Sequence, residues 1–126
     1  MSTHVDGGLN GVKPYLPGIE YHPRGQGYAK INQGAKKRVT INLTSEDNTN
    51  NEVELFAILC GITFVCNKKK NERIIVSDSQ WCVQAVTEKL KAKEPRLKLM
   101  ISAINALLTH YKITLQWVRR EENNAT

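Results

Sequence analysis

Three acidic residues stand where carboxylates can converge in an α/β fold. Asp6 closes the short β-prone run Thr3-His4-Val5-Asp6, and Asp78 closes the run Arg73-Ile74-Ile75-Val76-Ser77-Asp78. Glu54 falls in the first turn of a strongly apolar helical segment. In open α/β sheets, ligands sit beyond the carboxyl ends of the parallel strands, so acids at these places can share one site. Three half-buried carboxylates repel one another and resist ionisation. A hard divalent cation relieves that repulsion, and Mg²⁺ takes oxygen ligands. Two such ions roughly 3.5–4 Å apart can activate a water and stabilise the leaving oxygen of a phosphodiester. Taken singly, each acid equally suits a turn or a helix cap; the chemistry depends on their meeting.

The elements that must position them follow from periodicity. Residues 3–6 read as a strand running into a turn at Gly7-Gly8. Residues 9–25, with three of the four prolines, read as a long irregular loop. Residues 27–33 and 37–43 form a predicted antiparallel hairpin, the second strand burying Val39, Ile41 and Leu43 on one face. The polar run 44–51 supplies candidate N-caps, and residues 52–66 are apolar almost all round, as in a helix buried on most sides. Residues 73–78 suit a central parallel strand. Helices are predicted over 79–91 and from Pro95 to Tyr111, then a strand over 113–117. Residues 119–126 are polar and could open a final helix. The order β-β-β-α-β-α-α-β implies an α/β fold with a five-stranded mixed sheet, its first three strands antiparallel and helices on both faces.

Composition bounds the function. The 126 residues suit one domain, residues 1–126, ending just before or within the last predicted helix. With 40% apolar residues the chain can bury a core. No run of eighteen or so apolar residues suggests a membrane span, and the N-terminus carries no signal-peptide pattern, so a cytoplasmic monomer is expected. Cys60, Cys66 and Cys82 lack zinc-ligand spacing and read as reduced thiols. The formal charge of +6 suits a polyanionic partner, with basic clusters at Lys36-Lys37-Arg38, Lys68-Lys69-Lys70 and from Lys89 to Lys98. Each cluster equally suits a solvated face.

The local motifs are more specific. Val5-Asp6-Gly7-Gly8 resembles the first-strand "DG" signature of type 1 ribonucleases H. Thr49-Asn50-Asn51-Glu52-Val53-Glu54-Leu55 resembles their "TNNxxEL" segment, and Ser77-Asp78-Ser79-Gln80 resembles their "SDSQ". Trp117-Val118 with Glu122-Asn123 resembles the "WV…EN" before their last helix. The resemblance runs from residue 3 to residue 126 in family order. It implies a ribonuclease H-like fold and hydrolysis of the RNA strand of RNA–DNA hybrids. It makes Asp6, Glu54 and Asp78 ligands of Mg²⁺ or Mn²⁺, with two ions expected when substrate is bound. Asn50, Asn51 and Gln80 would contact the minor groove of the hybrid, where a 2′-OH separates RNA from DNA. Thr49 would hold a DNA phosphate near a helix N-terminus.

The sequence departs from that family in three places. A fourth acid follows the "EN" motif in the family, whereas Glu122-Asn123-Asn124-Ala125-Thr126 stops one or two positions short of it. A longer natural chain, a shortened one and a three-acid site all fit, with Glu121 or Glu122 as candidate substitutes. The His-bearing loop is missing: only Arg119-Arg120 separate Val118 from Glu121, while His4, His22 and His110 lie elsewhere. The basic handle helix is missing too, and Lys89, Lys91, Lys93, Arg96 and Lys98 are candidates for gripping substrate electrostatically. The alternatives to a hybrid-cleaving enzyme are a non-catalytic nucleic-acid-binding domain of the same fold, or the ribonuclease H module of a reverse transcriptase or mobile element.

Overall fold

The computed structural model describes residues 2–10, 24–34, 37–88, 92 and 94–126. Among these residues six strands, β1 (Thr3–Asn10), β2 (Arg24–Asn32), β3 (Arg38–Asn42), β4 (Asn48–Thr49), β5 (Ile74–Ser77) and β6 (Thr114–Trp117), accompany three α-helices, α1 (Asn50–Val65), α2 (Gln80–Thr87) and α3 (Pro95–Tyr111). The sheet order is β3-β2-β1-β5-β6, with the two-residue β4 paired to β2. β1, β2 and β3 are antiparallel, and β5 and β6 run parallel to β1. The expected mixed five-strand path is present, and β4 adds a sixth strand by pairing Thr49 and Asn48 with residues 24 and 25.

Helix α1 starts at Asn50, with Thr49 as N-cap accepting from the Glu52 N–H at 3.3 Å. It packs on β1, β2 and β5 and against α2 and α3, which explains its apolar circumference. Leu55, Ile58, Val5, Ile31 and Ile75 are fully enclosed in the core between them. The helices sit unequally on the two faces. The face of His4 and Asn32 carries the one-turn 3₁₀ helix Arg120–Glu122 and the residues after it: the Asn124 N–H donates to His4 Nδ1, and Asn32 Nδ2 donates to the Asn124 carbonyl.

Four local expectations are corrected. Gly7-Gly8 is not a turn: β1 continues through both glycines to Asn10, pairing Gly7 with Ala29 and Gly8 with Tyr28. These glycines serve close packing, since a Cβ on Gly7 would stand 2.3 Å from the Val53 carbonyl oxygen. The strand ends of the predicted loop, residues 9–10 and 24–25, belong to β1 and β2, and residues 11–23 lie outside the described residues. Val39 is not buried but 37% exposed, because β3 is the sheet edge and little of α1 reaches it. No longer final helix forms among the described residues after β6. Asn123 takes an extended conformation (φ −91°, ψ 111°), its side chain donating to the Val5 carbonyl and accepting from the Ala125 N–H.

Candidate active site

Strand register places the first two acids side by side. Val5 of β1 is paired with Ser77 of β5, so Asp6 and Asp78 are the next residues along two parallel strands. Asp78 stands one residue beyond β5, and Ser79 caps α2 by accepting from the Cys82 N–H at 3.4 Å. Glu54 arrives from α1, in its second turn rather than the expected first, because the helix begins at Asn50. The bare backbone at Gly7 lets α1 settle onto β1, and the Gly7 N–H donates to Glu54 Oε1 at 2.5 Å. One carboxylate oxygen from each of Asp6, Glu54 and Asp78 lies within 4.8 Å of the others.

The cluster is charged against its surroundings. Burial, then the neighbouring Asp78 charge, pushes the Asp6 carboxyl up to about 6. Burial pushes Glu54 up to about 8, opposed by the Gly7 N–H and reinforced by the charges of Asp6 and Asp78. A protonated Glu54 hydrogen-bonded to an ionised Asp6 fits both shifts. An all-oxygen set that resists ionisation in this way fits a hard divalent cation. Two ligands of one Mg²⁺ at about 2.1 Å stand at most about 4.2 Å apart, so small side-chain rotations suffice to close the separations found here.

The raised values make folding stability depend on pH. The neutral carboxyls favour folding, so the stabilisation is fully present below the ordinary values of 3.8 and 4.5. It is lost as pH rises through about 6 for Asp6 and about 8 for Glu54. Thermal melts in chelator should therefore show the midpoint falling between pH 5 and 8. Added Mg²⁺ should raise the midpoint most at the alkaline end, where it displaces fewest protons. A chelated protein whose midpoint is flat over that range would contradict this electrostatic account.

Around the acids, Asn50 and Asn51 open α1, Gln80 opens α2, and all three side chains are exposed. The two helix starts are joined by Cys82 Sγ, which donates to the Asn51 carbonyl at 3.8 Å. Burial pushes that thiol up to about 12, and Cys60 is also pushed up by burial; all three cysteines are free. Thr49 has its hydroxyl engaged in capping. Arg96 is committed to Glu52, its Nη2 3.0 Å from Oε1, while Lys98 is exposed. Lys89, Lys91, Lys93, Lys36 and His22 lie outside the described residues. Lys68–Lys70 fall where α1 runs into β5, at the end of the sheet opposite the acids.

Several contacts at the site went unread in the sequence. Trp117 Nε1 donates to the Asp78 carbonyl at 3.1 Å, and Thr126 Oγ donates to Asp78 Oδ2 at 3.4 Å. The charge of Arg120 acts on Asp6, holding its carboxyl down against the upward shift. The pair Arg119-Arg120 was the available signal, but nothing local says which arginine's charge reaches Asp6. Arg119 takes Glu122 at 3.0 Å and Glu121 at 4.0 Å, and neither glutamate joins the acid cluster. His4 has a structural task, accepting from the Asn124 N–H at 3.1 Å.

Residues 32–126 match the family described as reverse transcriptase-like. The chain belongs to that family. It folds as a ribonuclease H-like domain, as solved structures show. RNase H1 from the halophilic archaeon Halobacterium salinarum NRC-1 superposes with a TM-score of 0.75 at 17% identity, covering 99% of this chain and 89% of that one. LC11-RNase H1 in complex with an RNA/DNA hybrid gives 0.69 at 17% identity, covering 98% and 88%. The N-terminal RNase H domain of rv2228c from Mycobacterium tuberculosis, solved as a maltose-binding-protein fusion, gives 0.70 at 20% identity, covering 97% and 84%. At these identities the likeness establishes the fold. No curated protein sequence matches the chain. Among the described residues no helix is long and apolar enough to cross a membrane.

Proposed function

We propose that this ribonuclease H-like domain is a divalent-metal-dependent endonuclease that hydrolyses the RNA strand of RNA–DNA hybrids. The observation that carries the reading is the meeting of Asp6, Glu54 and Asp78 within 4.8 Å, Asp6 from the middle of β1 rather than its expected carboxyl end and Asp78 just beyond the carboxyl end of β5. Asp6, Glu54 and Asp78 would hold Mg²⁺ or Mn²⁺, two ions with substrate present. Such ions supply an activated water and neutralise charge on the leaving oxygen. The chain's own residues hold the hybrid in place. Asn50, Asn51 and Gln80 present exposed amides that both donate and accept, suited to base edges and the RNA 2′-OH in a minor groove. The start of α1 at Thr49 offers N–H groups and a positive dipole end to a phosphate of the DNA strand. The hybrid bound in the LC11 relative supports the choice of substrate.

A second reading is a nucleic-acid-binding domain of this fold without catalysis, which the exposed amides of Asn50, Asn51 and Gln80 would serve equally. A ribonuclease H module of a reverse transcriptase or mobile element fits the family match equally and would share the chemistry.

The test uses end-labelled RNA–DNA hybrid, RNA duplex and DNA duplex, each with Mg²⁺, Mn²⁺ or chelator. The expected result is cuts in the RNA strand of the hybrid only, abolished by chelator. Hybrid binding with no cuts under either metal would overturn the enzymatic reading and leave the binding domain.

A further inference from the structure

The outer face of the sheet beside the acids carries two exposed cations, Lys30 and Arg38. Along β2 and β3 the residues alternate: Ala29, Ile31, Val39 and Ile41 share the side of Val5, and Lys30, Asn32, Arg38 and Thr40 share the side of Asp6. Lys30 is paired in register with Asp6, and Asn32 links His4 to Arg38. Among the described residues neither Lys30 nor Arg38 forms an ion pair. The Lys30 ammonium instead lies over the Tyr28 ring, 5.4 Å from its centre. Lys30, Asn32, Arg38, Thr40, Asn124 and Thr126 line a cleft of about 230 Å³. Its far wall is the C-terminal segment, whose Thr126 hydroxyl touches Asp78. The cleft therefore opens directly beside the carboxylates.

We propose that this cleft is a phosphate-backbone subsite that holds the nucleic acid a few nucleotides away from the bond cut at the acids. The inference rests on the proposed function and adds a contact surface on β2 and β3 to those at the starts of α1 and α2. The spacing suits a nucleic-acid strand. Arg38 is two strands and two residues from Asp6, and strands about 4.8 Å apart with about 3.4 Å per residue put it roughly 12 Å away. That distance exceeds the spacing of neighbouring phosphates along one strand, so Arg38 would meet a phosphate beyond the one at the acids. The ammonium and guanidinium supply charge, and the Asn32 and Thr40 side chains supply hydrogen bonds that read no base. Two solvated cations on a polar sheet face would look the same in isolation, so the discriminating quantity is the number of counterions released on binding.

The experiment measures hybrid affinity against salt concentration in an Asp78→Asn background, so that cleavage does not interfere. The double variant Lys30→Glu/Arg38→Glu is compared with the charge-matched Lys69→Glu/Lys70→Glu at the opposite end of the sheet. Each lost phosphate contact lowers the log–log salt slope by about 0.7–0.9. The expected result is a slope smaller by about 1.4–1.8 and at least tenfold weaker binding near 0.1 M salt for the Lys30/Arg38 variant. The Lys69/Lys70 variant should lose no more than a small fraction of that. The neutral pair Lys30→Gln/Arg38→Gln should show the same change in slope, which excludes misfolding caused by the introduced acids. If the parent binds hybrid and both cleft variants keep its slope and affinity, the subsite is overturned and the nuclease reading stands. If the parent does not bind hybrid at all, the proposed function falls and the subsite with it.

Discussion

Glu54→Gln should abolish most hybrid cleavage while leaving the fold intact. The amide keeps an acceptor for the Gly7 N–H and offers a donor to Asp6, so the site's hydrogen bonds survive the exchange. What disappears is an anionic oxygen ligand. Losing several kcal/mol of charge stabilisation at a metal site corresponds to a rate lower by about 10³-fold. Stability should move the other way at alkaline pH. Glu54 titrates near 8 because burial and two neighbouring carboxylates oppose its ionisation, and the substitution removes that opposition. The metal-free variant should thus melt no lower than the parent at pH 8. Single-turnover cleavage of labelled hybrid and chelator melts check the two halves. Cleavage within tenfold of the parent would remove Glu54 from the metal site and the three-acid proposal with it.

Gly7→Ala should damage both folding and cleavage. The added methyl would meet the Val53 carbonyl oxygen at 2.3 Å and carbon at 2.5 Å, and the Glu54 nitrogen at 2.7 Å. These are backbone atoms of α1, so no side-chain rotation relieves the contact, and the helix must lift from β1. Overpacking of this kind costs about 3 kcal/mol. Lifting α1 also carries Glu54 away from Asp6, and a displacement near 1 Å can cost about 10²-fold in rate. Gly8→Ala is the informative contrast. Its methyl would meet the Tyr28 hydroxyl and ring carbons, the far end of a side chain that can swing away. Its denaturant midpoint should fall by clearly less than that of Gly7→Ala. Equal losses at the two positions would show that the approach of α1 to β1 is not what Gly7 provides.

Much of this architecture was legible because it is local. Alternation in residues 37–43, the apolar circumference of α1 and the acid that ends the run 73–78 report directly on a strand, a buried helix and a strand end, whereas Asp6, expected at a strand end by the same reasoning, lies inside β1. The motifs around Asp6, Glu54 and Asp78 then tied the three acids to one site, and the structure brings them together. The failures are non-local. Gly7-Gly8 has the chemistry of a turn, and only a helix 47 residues further on explains why it is a strand. Val39 alternates like a core residue but sits on an edge, a property of sheet order rather than of its own segment. Arg120 and Asn123 act on Asp6 and Val5 across more than 110 positions, which no periodicity records.

The C-terminal strap has a consequence for how the molecule forms. Asn123 is hydrogen-bonded to Val5 across 118 positions, and Asn124 to His4 across 120. β1 can pair with β2 early, but its other edge waits for β5, and the face beside Asp6 waits for Asn123 and Asn124. Contacts of such long sequence separation close late, because the chain entropy of the loop must be lost before they contribute. During synthesis the three carboxylates cannot meet before residue 78 has emerged. The acid site is thus a late product of folding and not a property of its first strand.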